Sequence, residues 1–312
     1  MLARIEVRRF PSLLAIAGLA FALLLILGSA VPAVAGNNSK HDRGNSTLYA
    51  TGRVGTVLLK IDVETGTTTV IGPAHPPGSL ALAITPDGTA AYTIANFKSP
   101  AARLAKIVLA TGVEKIVGSS PLGNLQIMGM TFAPNGVLYA AGDFTFGPPV
   151  SPTLSPTFNS LYTIDLNSGS AHRVGSFGVG SKSTDFIMSF AFDSDGNMYG
   201  ASMMSLYRIH LPRTTDARGG VAQSQEAGQG NEALATKVVN FDGSGAVMGI
   251  AIGGDGSFYA ADFPCPPGNS SNVSTIYVVN IETGLLTPLN PPLSPSIACI
   301  HNIAFSPQGH HD

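Results

Sequence analysis

Apolar and polar residues alternate along most of the chain from Thr47 to Gly309, and the alternation breaks at short turns rich in Gly, Asp, Asn, Ser and Thr. A two-residue period is the period of a strand with one face buried. Five segments share one form, an apolar run, a small turn and then a glycine. They are Leu80–Gly88 (LALAITPDG), Met128–Gly136 (MGMTFAPNG), Met188–Gly196 (MSFAFDSDG), Met248–Gly256 (MGIAIGGDG) and His301–Gly309 (HNIAFSPQG). Their spacing of about 48 to 60 residues marks an array of repeated supersecondary units.

Each anchor glycine but the last is followed by a second alternation built around a tyrosine: Ala91-Tyr92, Leu138-Tyr139, Met198-Tyr199 and Phe258-Tyr259. A third run follows at Leu104–Leu109, Leu161–Leu166, Leu206–Leu211 and Ile276–Ile281. Three of these end in Thr111-Gly112, Ser168-Gly169 and Thr283-Gly284. A fourth run closes the unit, as at Glu114–Val117 and His172–Val174. Alternation bounded by such turns predicts hairpins. Each unit therefore reads as four antiparallel strands, A to D.

The two ends of the array complete one another. The first unit begins at strand B (Thr47–Gly52) and continues through C (Val57–Val63) and D (Thr68–Ile71), whereas the last contributes only strand A at His301–Phe305. Three strands from the start and one from the end make a full unit and close a ring. The predicted fold class is all-β, a five-bladed β-propeller with 3+1 closure, which leaves no unpaired terminal blade. Six blades is the alternative, should the insert beginning at Pro212 hide strands. Strand A suits a crowded axis: small residues (Ala81, Gly129, Ser189, Gly249 and Asn302) stand seven positions before each anchor and alternate with large apolar ones.

Residues 1–35 have a different character. Arg4, Arg8 and Arg9 precede an apolar run from Leu13 to Leu27, and Ala33-Val34-Ala35 gives a small-x-small cleavage pattern. This reads as a signal peptide, with an uncleaved anchor as the alternative. The predicted organisation is signal peptide 1–35, linker 36–46, propeller 47–309 and tail 310–312. Of 17 Lys+Arg and 19 Asp+Glu, removal of 1–35 takes Arg4, Arg8, Arg9 and Glu6, leaving net charge -4. No basic surplus remains to neutralise phosphates, which argues against a nucleic-acid partner. The expected product is a secreted or periplasmic monomer that meets a membrane only during export.

The segment Leu82–Asn96 (LAITPDGTAAYTIAN) resembles the YVTN-type propeller repeat, and Leu161–Gly169, with its Leu-Tyr-x-Ile-Asp-x-x-x-Gly pattern, is similar to that repeat's strand C. The resemblance covers most of 47–309 and implies the fold. The wider class, which includes NHL-like and gluconolactonase-like propellers, ranges from surface binding proteins to lactonases and lyases, so fold alone does not select a function.

The B–C and D–A connections of a propeller share one rim, the top. Long insertions fall there at Gly142–Ser160, Asp262–Ser274 and Leu289–Ala298, where binding is usual. The stretch Pro212–Ala233 reads as a disordered C–D loop on the opposite rim. Polar residues on the top are Asn96, Asp143 and Asp262 at strand B ends, and Gln126, Asp185, His301 and Asn302 near strand A starts. Converging carboxylates and amides are what Ca²⁺ or another hard divalent cation takes as ligands. The gluconolactonase-like enzymes hold a catalytic metal with such groups at the propeller centre. The resemblance therefore implies Asp143, Asn96, Asp262 and Asn302 as a comparable set, with Asp143 and Asp262 as the metal carboxylates. A departure from that pattern is the lack of Glu at any strand A start. The competing reading is that Asp and Asn after a strand serve their own turns.

His301 occupies a slot filled by Leu or Met in the other four repeats, and it is a candidate ligand or general base beside Asp143. No Ser-His-Asp set, His-Glu-x-x-His or phosphate-cradling glycine loop can be assembled. Cys265 and Cys299 map to the top rim of neighbouring blades in an exported chain, where a disulfide is expected; two free thiols are the alternative. Two functions follow. One is a non-catalytic propeller that binds a protein or glycan partner through its top loops. The other is a metal-dependent lactonase with its site at the axis.

Overall fold

A computed structural model describes residues 47–305 except 54–55, 74–79, 98, 123–124, 143–158, 180–185, 213–233, 243–245, 263 and 265–271. The chain divides into two units, Met1–Lys40 and His41–Asp312, and every described residue belongs to the second. Five antiparallel four-stranded sheets make five blades, each ordered A-B-C-D. Blade 1 is β20 (Asn302–Phe305), β1 (Leu48–Gly52), β2 (Val57–Ile61) and β3 (Thr68–Ile71). Blade 2 is β4 (Ala83–Ile84), β5 (Ala90–Ala95), β6 (Arg103–Val108) and β7 (Glu114–Ile116). Blade 3 is β8 (Gly129–Phe132), β9 (Leu138–Gly142), β10 (Ser160–Ile164) and β11 (Ala171–Ser176). Blade 4 is β12 (Ser189–Phe192), β13 (Met198–Ala201), β14 (Ser205–Ile209) and β15 (Ala235–Asn240). Blade 5 is β16 (Val247–Ile252), β17 (Phe258–Asp262), β18 (Ile276–Val279) and β19 (Leu286–Pro288). No helix occurs among the described residues.

The closing strand pairs as the sequence predicts. β20 runs antiparallel to β1, from Leu48 opposite Phe305 to Thr51 opposite Asn302. Strand A is shortest in blade 2, where only Ala83 and Ile84 keep strand pairing, and in blade 5 its register shifts between Val247 and Gly249. The stretch 213–233, which carries the expected C–D loop, lies outside the described residues.

Turn chemistry fixes the hairpins. The A–B anchor Gly136 stands at φ 84, in the left-handed region that side chains with a Cβ rarely enter. At the C–D turns an Asp or Asn side chain caps the backbone two and three residues on. Asp62 Oδ1 accepts from the N–H groups of Glu64 and Thr65, Asp165 Oδ1 from those of Asn167 and Ser168, and Asn280 Oδ1 from those of Glu282 and Thr283. These Asx turns end at Gly66, Gly169 and Gly284, each at positive φ. Backbone and hydroxyl hydrogen bonds from Ser168 hold the Asp165 carboxyl below its usual range.

The core lies between blades rather than within them. Five apolar clusters serve the five interfaces of the ring. The one between blades 2 and 3 joins Ile94 and Leu104 to Met130 and Leu138, and the one between blades 5 and 1 joins Ala261 and Ile276 to Leu48 and Ile303. The remaining three fill the other interfaces. The strand B tyrosines take part. Tyr92 meets Phe132 of the next blade edge-on at 5.4 Å, and Tyr259 meets Phe305 at 5.1 Å. Edge-to-face pairs at this separation add about 0.5–1.5 kcal/mol beyond burial. The one-sided ridge of each blade thus needs both neighbours, and the ring supplies them without a terminal face.

Candidate functional site

At the top of the axis the five inner strands are stitched together by buried polar groups. Asn302, at the start of β20, is 1% exposed. Its Nδ2 donates to the Met128 carbonyl (2.9 Å), and its Oδ1 accepts from the Ser189 hydroxyl (3.1 Å) and from the Ile303 N–H (3.1 Å). Ser189 Oγ in turn accepts from the Ile250 N–H at 3.0 Å. The Thr51 hydroxyl accepts from the Asn302 N–H (3.2 Å) and donates to the Leu80 carbonyl (3.1 Å). Leu80 leads into β4, Met128 into β8, and Ser189, Ile250 and Asn302 belong to β12, β16 and β20. Every blade is therefore tied into one network. The small slot seven residues before each anchor is what lets these strands approach.

The residues one position earlier make a second layer. Leu80, Met128, Met188 and Met248 pack with Phe186 in a buried apolar cluster, against which the partly exposed Phe97 and Met203 lie. His301 takes the fifth slot of that layer. It is buried, and its N–H donates to the Thr51 carbonyl at 2.9 Å.

The other sequence candidates are placed differently. Asn96 is exposed at φ 56 on the blade 2 B–C turn, and its carbonyl accepts from Ser99 N–H at 3.1 Å. Gln126 is half-buried, with its buried Oε1 lacking a hydrogen-bond partner among the described residues. Asp143 and Asp185 lie outside the described residues. Asp262, at the end of β17, is buried, and both its oxygens are hydrogen-bonded. Its Oδ1 accepts from the Thr275 N–H (2.7 Å) and its Oδ2 from the Tyr277 hydroxyl (3.1 Å). Both donors come from across the B–C connection, 13 and 15 residues along the chain. Among the described residues, no three His, Cys, Asp or Glu side chains come together. Cys299 is fully buried at φ 54, and its N–H donates to the Asn272 carbonyl (3.3 Å); Cys265 lies outside the described residues.

Burial raises the Asp262 carboxyl above its ordinary value of 3.8, against the smaller lowering effect of the bonds from Thr275 and Tyr277. The folded state then holds a proton to higher pH than the unfolded chain. Stability from this group is full below the ordinary value and falls as pH rises through the raised one. Asp262→Asn keeps both bonds, because the amide oxygen accepts from Thr275 and the amide N–H donates to the tyrosine oxygen. Thermal melts of both proteins should show the variant equal to or above wild type at pH 7, with the gap closing below about pH 4. A lower variant melting temperature at pH 7 alone would show instead that the ionised carboxylate is needed.

Alignment of the repeats singles out the Asn302 position but not its partners. The hydroxyls of Ser189 and Thr51 look like ordinary small strand residues. The methionine layer is visible only when all five slots are read together.

No known protein family matches the chain by sequence, and no curated protein matches it. Solved structures do. TolB from Acinetobacter baumannii is 13% identical with a TM-score of 0.44, over 84% of this chain and 66% of that one. A chain of a nidogen/laminin complex is 9% identical with a TM-score of 0.47, over 84% and 98%. XC5397 from Xanthomonas campestris, described as a gluconolactonase, is 14% identical with a TM-score of 0.46, over 82% and 74%. Likeness at this identity concerns the fold alone. The chain's own strand order makes it a five-bladed β-propeller.

Proposed function

We propose that the protein is an exported, non-catalytic β-propeller, acting as a secreted or periplasmic monomer that recognises a protein or glycan partner through its top face. The observation that carries this reading is how the polar groups near the axis are used. Asn302, Ser189 and Thr51 bond one another and the strand backbones, and both Asp262 oxygens accept from Thr275 and Tyr277 across the B–C connection. The top rim, in contrast, presents apolar side chains on its B–C connections. Met204, between β13 and β14, is 51% exposed, and Val273, before β18, is 52% exposed. A rigid ring with exposed apolar groups on its loops suits recognition.

A Cys265–Cys299 disulfide belongs to this reading. Asn272 donates from Nδ2 to the Pro264 carbonyl (2.6 Å) and accepts from Cys299 N–H, which brings the neighbour of Cys265 to the closing strand. A bond there would fasten the blade 5 loop to the last strand.

The test uses residues 36–312 on panels of immobilised glycans and cell-envelope proteins, beside a lactone-hydrolysis assay with and without Ca²⁺. The expected result is saturable binding to one panel class, lost in a Met204→Glu/Val273→Glu variant, and no lactone turnover. Ca²⁺-dependent lactone turnover abolished by Asp143→Ala would replace this reading with the metal-dependent lactonase.

A further inference from the structure

The second axial layer holds an unusual set of side chains for a structural plug. Of eight methionines in the chain, four lie in this cluster: Met128, Met188 and Met248 in the ring itself, and Met203 against it. The ring methionines are nearly inaccessible, at 1%, 1% and 4% exposure, and His301 is 3% exposed. Backbone contacts set the strands that carry them side by side around the axis. A Cβ built on Gly129 would lie 2.2 Å from the Met188 carbonyl oxygen, so the Met128 and Met188 strands touch. One built on Gly249 would lie 3.0 Å from Asn302 Cα, so Met248 stands beside the start of β20, which His301 precedes. The Asn302 amide reaches past blade 2 to donate to the Met128 carbonyl.

We propose that this layer is a binding site for a soft monovalent cation, Cu(I), held by the thioethers of Met128, Met188 and Met248 and one imidazole nitrogen of His301. The chemistry is specific. Thioether sulfur is a soft, neutral donor that selects Cu(I), and imidazole suits copper as well. Ca²⁺ and Mg²⁺ take oxygen ligands, and this layer offers them none from its side chains. Three thioethers and an imidazole coordinate without carrying charge into the apolar axis, so the cation's single charge is the only one to be accommodated. Packing alone does not call for this set. Leu80 fills the same slot in blade 2, which shows that a branched aliphatic side chain is accepted there. The partly exposed Met203 at the rim places a further thioether on the approach from the top face.

The test is an anaerobic titration of residues 36–312 with Cu(I) in competition with a chromogenic Cu(I) chelator, followed by X-ray absorption of the loaded protein. The expected result is one tightly held Cu(I) per chain, with a sulfur-dominated shell including one nitrogen. Redox-inert Ag(I) should raise the melting temperature of the same protein. Met128→Leu/Met188→Leu/Met248→Leu should lose retention of Cu(I), and His301→Leu should lose the nitrogen scatterer and bind more weakly. Met198→Leu, which alters a buried methionine outside the layer, should retain the single equivalent. Leu and Met exchange with little effect on packing, so the apo variants should melt close to wild type. Failure of wild type to hold Cu(I) against the chelator overturns the proposal, as does equal retention by the triple variant. Should that variant fail to fold, a nitrogen- and oxygen-only shell in the wild-type absorption spectrum overturns it on its own.

Discussion

Asn302→Ala will lower the melting temperature of residues 36–312 by about 6–12 °C. The residue is buried at the one point where all five inner strands meet. Truncation removes the acceptor of the Ser189 hydroxyl and the donor to the Met128 carbonyl, and leaves a cavity in their place. A buried polar group left unsatisfied costs about 1–3 kcal/mol. Two such groups and a small void sum to about 3 kcal/mol or more, and about 2–4 °C is lost per kcal/mol in a domain approaching this size. The effect is specific to the network, which a double-mutant cycle can show. Ser189 Oγ also accepts from the Ile250 N–H, so Ser189→Ala is destabilising alone. With Asn302 already gone, part of that loss has been taken, and the two changes should be clearly less than additive. Additive losses, or a shift under about 2 °C for Asn302→Ala, would mean that the axial bonds are exchanged for water without effect on the ring.

The fold was legible in the sequence because the signals that specify it are local. The Asp62, Asp165 and Asn280 turns are each complete within five residues, and the glycine that ends each is visible beside its cap. Ring closure could be read because the two chain ends carried complementary parts of one unit, and β20 does pair with β1. The candidate site was legible only in outline. Asn302 stood out as a polar residue in a small slot, but it bonds Met128 across 174 residues of chain and Thr51 across 251. No local pattern encodes those partners; they follow from which strands the ring brings to the axis. Asp262 shows the same limit at shorter range. Its partners Thr275 and Tyr277 lie beyond a long B–C loop, so the sequence shows a carboxylate at a strand end without showing that both oxygens are taken. The methionine layer was hidden for another reason. Methionine reads as apolar filler at any single repeat, and only the fifth slot, with His301, breaks the pattern.

Gly129→Ala should be at least as damaging as loss of Asn302, although it adds one methyl group and removes nothing. The slot as such tolerates a Cβ, since Ala81, Ser189 and Asn302 occupy it in other blades. At Gly129 the added carbon would lie 2.2 Å from the Met188 carbonyl oxygen and 2.8 Å from Met188 C and Ser189 Cα. All three are backbone atoms of the neighbouring inner strand, so no rotamer change can make room. β8 and β12 would have to move apart, and in a closed ring that displacement is passed to the other inner strands. Overpacking of a well-filled core costs about 1–3 kcal/mol and occasionally more. Because the clash is with backbone that no rotamer change can relieve, the upper end applies, giving a fall of about 6–12 °C. Gly249 provides the internal comparison. Its added Cβ would meet Ile303 N at 2.9 Å and Asn302 Cα at 3.0 Å, a milder overlap. The melting temperatures should therefore rank wild type, then Gly249→Ala, then Gly129→Ala. The same displacement would pull Ser189 from Asn302 and widen the ring of Met128 and Met188 above it. Gly129→Ala should thus weaken Cu(I) retention while leaving every proposed ligand in place. A Gly129→Ala protein that melts within about 2 °C of wild type would show that the inner strands are not held in contact at the axis, and would remove the geometric basis for both layers.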